Sequence, residues 1–339
     1  MRALLLVFGI VLCIFVSLNK VNGELYFASL SNYGCSGNQK KIASVLKTQA
    51  EKTPFSLLIS PGDNFPGGID FKHCFENIYS EKSLQIPLFA VMGQADWDNG
   101  NANLLLKRNN VTYDSNNDVF PRFSFPNYFY HYVSHYTDTS NVLSRRDGTV
   151  LFVFIDTFIL SSSFPDHKVS EQAFQNLNAT LHYGHKHHDF TVVVGNKYLA
   201  SSYSIDSSLK KVQQLILDTH VELVISGQNR GTYNSTIEGT TFLNCDSYCS
   251  FKVDGSKLVP YIIQNGNQVE LSPIITQLPS PSLSFQGIAG DELPALEMIE
   301  LTFKKGAKHL SREAFLKIVG TVGLMILAAC IGSLIINKK

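Results

Sequence analysis

Six short apolar, β-rich runs, each stopping at a polar turn, constrain this chain more than any other feature. They are Leu25 to Leu30 before Ser31-Asn32-Tyr33-Gly34, Phe55 to Ile59 before Pro61-Gly62-Asp63-Asn64, and Ile86 to Met92 before Gly93-Gln94-Ala95-Asp96. Then come Val150 to Ile155 before Asp156-Thr157, Phe190 to Val194 before Gly195-Asn196-Lys197, and Val221 to Ile225 before Gly227-Gln228-Asn229-Arg230. Continuous apolar runs of this length, separated by segments long enough for helices, predict α/β layers whose strands are buried on both faces. In such folds the loops at the carboxyl ends of strands collect the site residues. Gln39 to Glu51 and Ser207 to His220 have helical spacing, whereas residues 128–136 alternate aromatic side chains as a half-buried strand does.

The 339 residues carry 28 basic and 28 acidic side chains, and zero net charge argues against a nucleic-acid binder. With 17% charged and 44% hydrophobic residues the chain is neither disordered nor a coiled coil. Its ends point to a membrane. Arg2, the apolar run Ala3 to Leu18 and the slim residues before Glu24 read as a signal peptide over residues 1–23, with an uncleaved anchor as the rival. Residues 318–336 carry no charge and are bracketed by Lys317 and Lys338-Lys339. At about 1.5 Å per residue they nearly match a roughly 30 Å hydrocarbon core, so they read as a transmembrane helix, with a buried core helix as the alternative. The organisation expected is a lumenal body over 24–270, a Pro/Ser-bearing stalk and basic juxtamembrane segment over 271–317, the membrane helix, and a cytosolic tail of 337–339. Lys304, Lys305, Lys308, Arg312 and Lys317 lie on the lumenal side of this type I topology, against the usual bias, which a cleaved signal overrides.

A lumenal body agrees with three sequons, at Asn110, Asn178 and Asn234. Cys35, Cys74, Cys245 and Cys249 allow three pairings. Cys245–Cys249 and Cys35–Cys74 are favoured, the first because so short a loop already brings its ends together; free buried thiols are the alternative. All ten histidines, at positions 73, 131, 135, 167, 182, 185, 187, 188, 220 and 309, lie outside the six turns. His182, His185, His187 and His188 invite a zinc reading, but neither a cysteine partner nor a tight helical pair supports it, and a solvated loop is expected there.

Gly62-Asp63-Asn64-Phe65, Gly93 with Asp96, Ile155-Asp156-Thr157, Gly195 with Tyr198, and Gly227 follow the order of purple-acid-phosphatase-like metallophosphoesterases. The resemblance covers roughly residues 24–270. It implies a β-sandwich flanked by helices, in the order α/β/β/α, with two metals at the strand ends polarising a phosphoryl group and delivering hydroxide. Placed on this chain, the implied ligand positions fall on Asn32, Asp63, Pro66, Gln94, Asn196, Gln228 and Arg230, and only Asp63 keeps its usual residue. Proline cannot ligate, and Arg230 puts a fixed positive charge where a dication would sit. The expectation is a pseudoenzyme with no catalytic residues and no cofactor. Asp63, Asn32, Gln94 and Asn196 offer oxygens to a weakly held Ca²⁺ or Mg²⁺, against which stands an amide network satisfying its own hydrogen bonds, with Arg230 paired to Asp63. Asp156 is expected to close its turn rather than to ionise for catalysis.

Pro126 to Tyr132, Ile155 to Ser162, Ser226 to Asn229 and the membrane segment Val319 to Leu324 together resemble the 50-kDa glideosome-associated proteins of apicomplexan parasites, over almost the whole mature chain. That resemblance implies an integral anchor, reached through the endoplasmic reticulum, in the inner membrane complex beneath the plasma membrane. The implied partners are a myosin motor, its tail-binding light chain and a 45-kDa glideosome-associated protein, besides membrane lipids. The competing class is a residual metal-dependent acid phosphatase or phosphoester-binding protein of the secretory pathway, and a weaker one is a sorting or adhesion protein. A three-residue tail cannot supply the roughly 800 Å² that a specific partner needs, so coupling must run through the membrane helix or its neighbours. Gly320, Ala328 and Gly332 share a small-residue face suited to close helix approach. A bulky substitution at Gly332 should therefore weaken capture of the complex while leaving membrane insertion intact, measured by co-purification from solubilised membranes.

Overall fold

The computed structural model describes residues 24–31, 33–34, 37–65, 70–98, 122–138, 146–200, 205–228, 231–264 and 267–275, and two stacked sheets run through them. The first sheet contains β1 (Leu25–Leu30), β2 (Leu57–Ser60), β3 (Leu88–Ala90) and β4 (Phe123–Ser124), all parallel. The second contains β5 (Phe129–Asp138), β6 (Arg146–Ile155), β7 (Phe190–Gly195), β8 (Leu223–Ser226), β9 (Tyr233–Ile237) and β10 (Thr240–Asn244). Its order is β5-β6-β7-β8-β10-β9, with β6, β7, β8 and β10 parallel and the two outer strands antiparallel. The chain then crosses back to add β11 (Tyr248–Asp254), β12 (Lys257–Gln264) and β13 (Asn267–Glu270) antiparallel beside β1, and β14 (Ile274–Ile275) pairs with β12. The fold is thus a two-sheet α/β sandwich with helices packed on its sheets, the architecture expected from the apolar runs.

Two-sided burial explains the uninterrupted apolar runs. From β6, Phe152 meets Phe27 of β1 edge-on at 4.9 Å between ring centres, and Phe154 lies 5.8 Å from Phe89 of β3 and stacks on Tyr130 at 4.5 Å. The alternate residues Leu151, Val153 and Ile155 pack outward against two helices. With α1 (Gln39–Lys52) and the short α2 (Gln94–Asp98) preceding them, these are α3 (His167–His187) and α4 (Ser207–Asp218). They contribute Leu177 and Leu181, and Leu209, Val212 and Ile216. Asp166 and Asp206 cap their amino ends, each carboxylate accepting two backbone N–H groups. Helix α1 buries Ile42, Ala43, Leu46 and Ala50, and its Gln49 side chain bonds Gln268 of β13, so it belongs to the first sheet.

The helices expected at 39–51 and 207–220 and the strand expected at 128–136 are present within two residues at each end. The solvated loop expected around His182 to His188 is corrected: His182, His185 and His187 lie in α3, and His188 is its C-cap. That helix buries only Leu177, Thr180, Leu181 and Gly184, so its apolar stripe is too thin to read by periodicity. Asp166 was its one clear signal.

Cys245, directly after β10, and Cys249, in β11, form a disulfide with Cα atoms 5.9 Å apart, so the link spans the crossover between the sheets. Cys74 is also disulfide-bonded. Its expected partner Cys35 lies outside the described residues, as do Asn110 and the whole stretch from 276 onward, including Gly320, Ala328 and Gly332. The expected signal peptide and membrane helix therefore also fall outside, and among the described residues no helix is long and apolar enough to cross a membrane. Asn178 is exposed on α3 and Asn234 on the outer strand β9.

Phe152 joins the two sheets and has no exposed surface. Its replacement by alanine should lower the unfolding free energy by about 3–5 kcal/mol, measured by urea titration.

Candidate functional site

The six polar turns meet at one edge of the sandwich. Ser31, after β1, donates its hydroxyl to the Cys245 carbonyl at 2.6 Å, and its N–H bonds the Ser247 carbonyl. Lys197, after β7, donates its N–H to the Thr157 hydroxyl after β6. Gly227, after β8, sits so close to Ser31 and Pro61 that a side chain there would overlap both. The convergence expected from the sequence is present.

Asn196 ties four of these turns together. Its amide NH₂ donates to the Pro61 carbonyl at 3.2 Å and to Asp63, while its side-chain oxygen accepts the Gln94 N–H at 3.3 Å. Its backbone carbonyl accepts the N–H groups of Gly227 and Gln228. Asp63 in turn accepts the Ala95 N–H at 2.9 Å. Gln94 turns its side chain along α2 to Asp98, at 2.9 Å, rather than toward Asp63. The amide-network alternative is therefore the arrangement seen at the described positions. Asn32, Pro66 and Arg230 lie outside the described residues.

This wall of the site is held under strain. Asp63 has φ of 52°, in the left-handed region that favours glycine, directly after Gly62 at 109°. Gly93 packs against the same aspartate, and a Cβ on it would overlap both the Asp63 carboxylate and its backbone nitrogen. Burial pushes the Asp63 carboxyl above its ordinary value, with the Asp98 charge adding to the rise, while the bonds from Ala95 and Asn196 oppose it.

Asn64 and Asp96 form a second knot that sequence reasoning passed over. Asn64 accepts from Ser60 at 2.7 Å and from Tyr33, and donates to the Val91 carbonyl at 2.7 Å and to Asp96 at 2.9 Å. Asp96, fully buried, accepts the backbone N–H groups of Gly93, Asn64 and Phe65. Its carboxylate thus holds the second turn to the third and points into protein rather than to an open site. The signal was the Asn directly after Asp63 and an Asp three residues after a glycine turn, both good partners for backbone N–H groups.

Asp156 closes its own turn, as expected, accepting the N–H groups of Phe158 and Ile159. It also accepts the Trp97 indole N–H at 2.8 Å. Trp97 stacks on Tyr128 at 5.4 Å and contacts Phe158 and Phe164, roofing the carboxylate with aromatic rings. Beside it lies a cleft of about 190 Å³ lined by Tyr128, Phe129, Asp156, Leu160, Gln172 and Asn176 among others.

A dimetal centre does not fit these residues. Hydrolysis of that kind needs imidazoles and carboxylates with lone pairs turned inward. Here the facing groups are amides, and the Asn196 amide is already spent on Asp63, Pro61 and Gln94. Among the described residues no three His, Cys, Asp or Glu side chains come together in a way that would hold a metal ion.

No family model matches the chain. Glideosome-associated protein 50 of Plasmodium falciparum is 26% identical over 92% of this chain and 91% of its own length. Nearly the whole chain is similar to glideosome-associated protein 50. The solved structure described as the anchor in the inner membrane complex of Plasmodium superposes with a TM-score of 0.65 at 25% identity, covering 82% of this chain and 94% of that one. The link to phosphatases is shorter. Purple acid phosphatase 3 of Arabidopsis thaliana is 33% identical over 88 residues, 23% of this chain and 24% of that protein. Similarity to glideosome-associated protein 50 thus spans the sheets and the converging turns alike, whereas the phosphatase likeness covers under a quarter of the chain.

Burial pushes the Asp156 carboxyl from 3.8 up to about 7, the Asp96 charge adding to the rise, while the Trp97, Phe158 and Ile159 donors oppose it. Between these values the folded chain holds a proton that the unfolded chain has lost. The stability that this group confers is therefore present in full below 3.8 and falls as pH rises to about 7. Urea midpoints measured across that window should decline with pH in the wild type and decline less in Asp156→Asn.

Proposed function

We propose that this chain is a noncatalytic membrane anchor and scaffold of the glideosome, resident in the inner membrane complex and built on a pseudo-phosphatase body. The observation that carries the noncatalytic half is Asn196. An amide replaces the imidazole implied at that position, and its hydrogen bonds to Asp63, Pro61 and Gln94 turn a metal-binding edge into a self-satisfied seam. The anchor half is supported by similarity over 92% of this chain to a glideosome-associated protein, and over 82% of it to a structure described as the inner membrane complex anchor.

On this reading residues 24–270 form the lumenal body and 318–336 the single type I membrane span, with Asn337-Lys338-Lys339 on the cytosolic side. The span's small-residue face, Gly320, Ala328 and Gly332, recruits a membrane neighbour that carries the link to the myosin motor, its tail-binding light chain and the 45-kDa glideosome-associated protein. The body serves as a stiff, disulfide-closed mass that holds the span in place. The sequons at Asn110, Asn178 and Asn234 and a Cys35–Cys74 bond belong to the same lumenal reading.

Two measurements on the full chain test this. After incubation with Fe, Zn, Mn or Mg, hydrolysis of a phosphomonoester should stay at the blank. Turnover lost in Asp63→Ala would overturn the noncatalytic half and favour a residual phosphatase. Cross-linking in intact membranes should retrieve the myosin and its light chain, and their absence would remove the anchor half.

A further inference from the structure

The carboxyl end of α4 is closed by two hydrogen bonds that wrap back on the helix: His220 N–H to the Leu217 carbonyl at 3.0 Å, and Val221 N–H to the Ile216 carbonyl at 3.2 Å. This arrangement forces the residue after the C-cap into the left-handed region, where glycine is the usual occupant. Here it is His220, with φ of 53°. The chain therefore carries a side chain at a position where having none costs less. That side chain is exposed and lies against another imidazole. His185, in the last turn of α3, has its ring centre 5.2 Å from that of His220, with the rings tilted by 45°.

Two imidazoles bound to one tetrahedral ion, each with a metal–nitrogen bond of 2.0–2.1 Å, place their ring centres about 5 Å apart. Both rings are polar and exposed, so their contact gains little from burial. Two histidines at neighbouring helix ends also complement the helix dipoles singly, but together they repel each other once protonated. His182 lies one turn earlier on α3, but no three such groups among the described residues come together to hold a metal ion.

We propose that His185 and His220 form a two-imidazole clip for a divalent late-transition metal ion, joining the carboxyl ends of α3 and α4, with water completing the coordination shell. The chemistry selects borderline ions such as Zn²⁺ and Cu²⁺ over Ca²⁺ and Mg²⁺, which prefer oxygen donors. The clip is separate from the turns around Asn196 and is structural: an ion there cross-links two helices that otherwise meet through apolar side chains.

The test is calorimetric titration of the full chain, purified without a histidine tag, with Zn²⁺ alone, alongside His220→Gly and His185→Gln. Glycine suits the left-handed backbone, so His220→Gly folds without its imidazole and should melt no lower than the wild type in the absence of metal. The wild type should bind one Zn²⁺ and melt higher with it. Each variant should bind at least about tenfold more weakly, since loss of even an outer-sphere partner commonly costs 10–100-fold. No binding to the wild type at millimolar Zn²⁺ would overturn the proposal. So would binding of equal strength in either variant, which would assign the ion to other residues.

Discussion

Everything in this molecule follows from the burial of β6 on both faces. Phe152 and Phe154 face one way into the first sheet, and Leu151, Val153 and Ile155 face the other way into α3 and α4. A strand with no polar face must have a layer on each side, and a second sheet and a pair of helices are what the flanking segments can supply. Once β6, β7 and β8 run parallel, with β1, β2 and β3 parallel in the opposing sheet, the turns after them collect at one edge. The site is thus a geometric by-product of how the core is packed.

What occupies that edge is a set of groups that bind one another. In a dimetal enzyme, converging turns repel one another until cations neutralise them. Here one residue, Asn196, holds the second and third turns through its side-chain amide and the sixth through its backbone carbonyl, and two buried carboxylates, Asp96 and Asp156, take up backbone and indole N–H groups. Asp63 is left-handed, and Gly62 and Gly93 crowd against its neighbourhood so closely that a side chain on either would overlap it. The turn has a strained backbone, and its side chains do the work of a seam.

Much of this was legible in the sequence because the signals were of the strongest kinds. Two-sided strands show as unbroken apolar runs, and the amides at Gln94 and Asn196 stand where an imidazole or a metal-binding amide is implied. What stayed hidden was relational. Nothing local says that Asn64 and Asp96 meet, since they lie 32 residues apart and on different turns. Helix α3 escaped because twenty-one residues with four buried positions look like a solvated stretch. His220 seemed an unremarkable helix end until its backbone angle and its neighbour His185 were placed in space.

The Cys245–Cys249 disulfide has a mechanical side. The chain changes sheets between β10 and β11, and a crossover of that kind is where a two-layer sandwich is able to shear, one layer sliding as the connection pays out slack. Closing it covalently, with Ser31 bonded to the carbonyls of Cys245 and Ser247, leaves no slack. Tension entering one sheet is handed to the other through a bond rather than through packing alone.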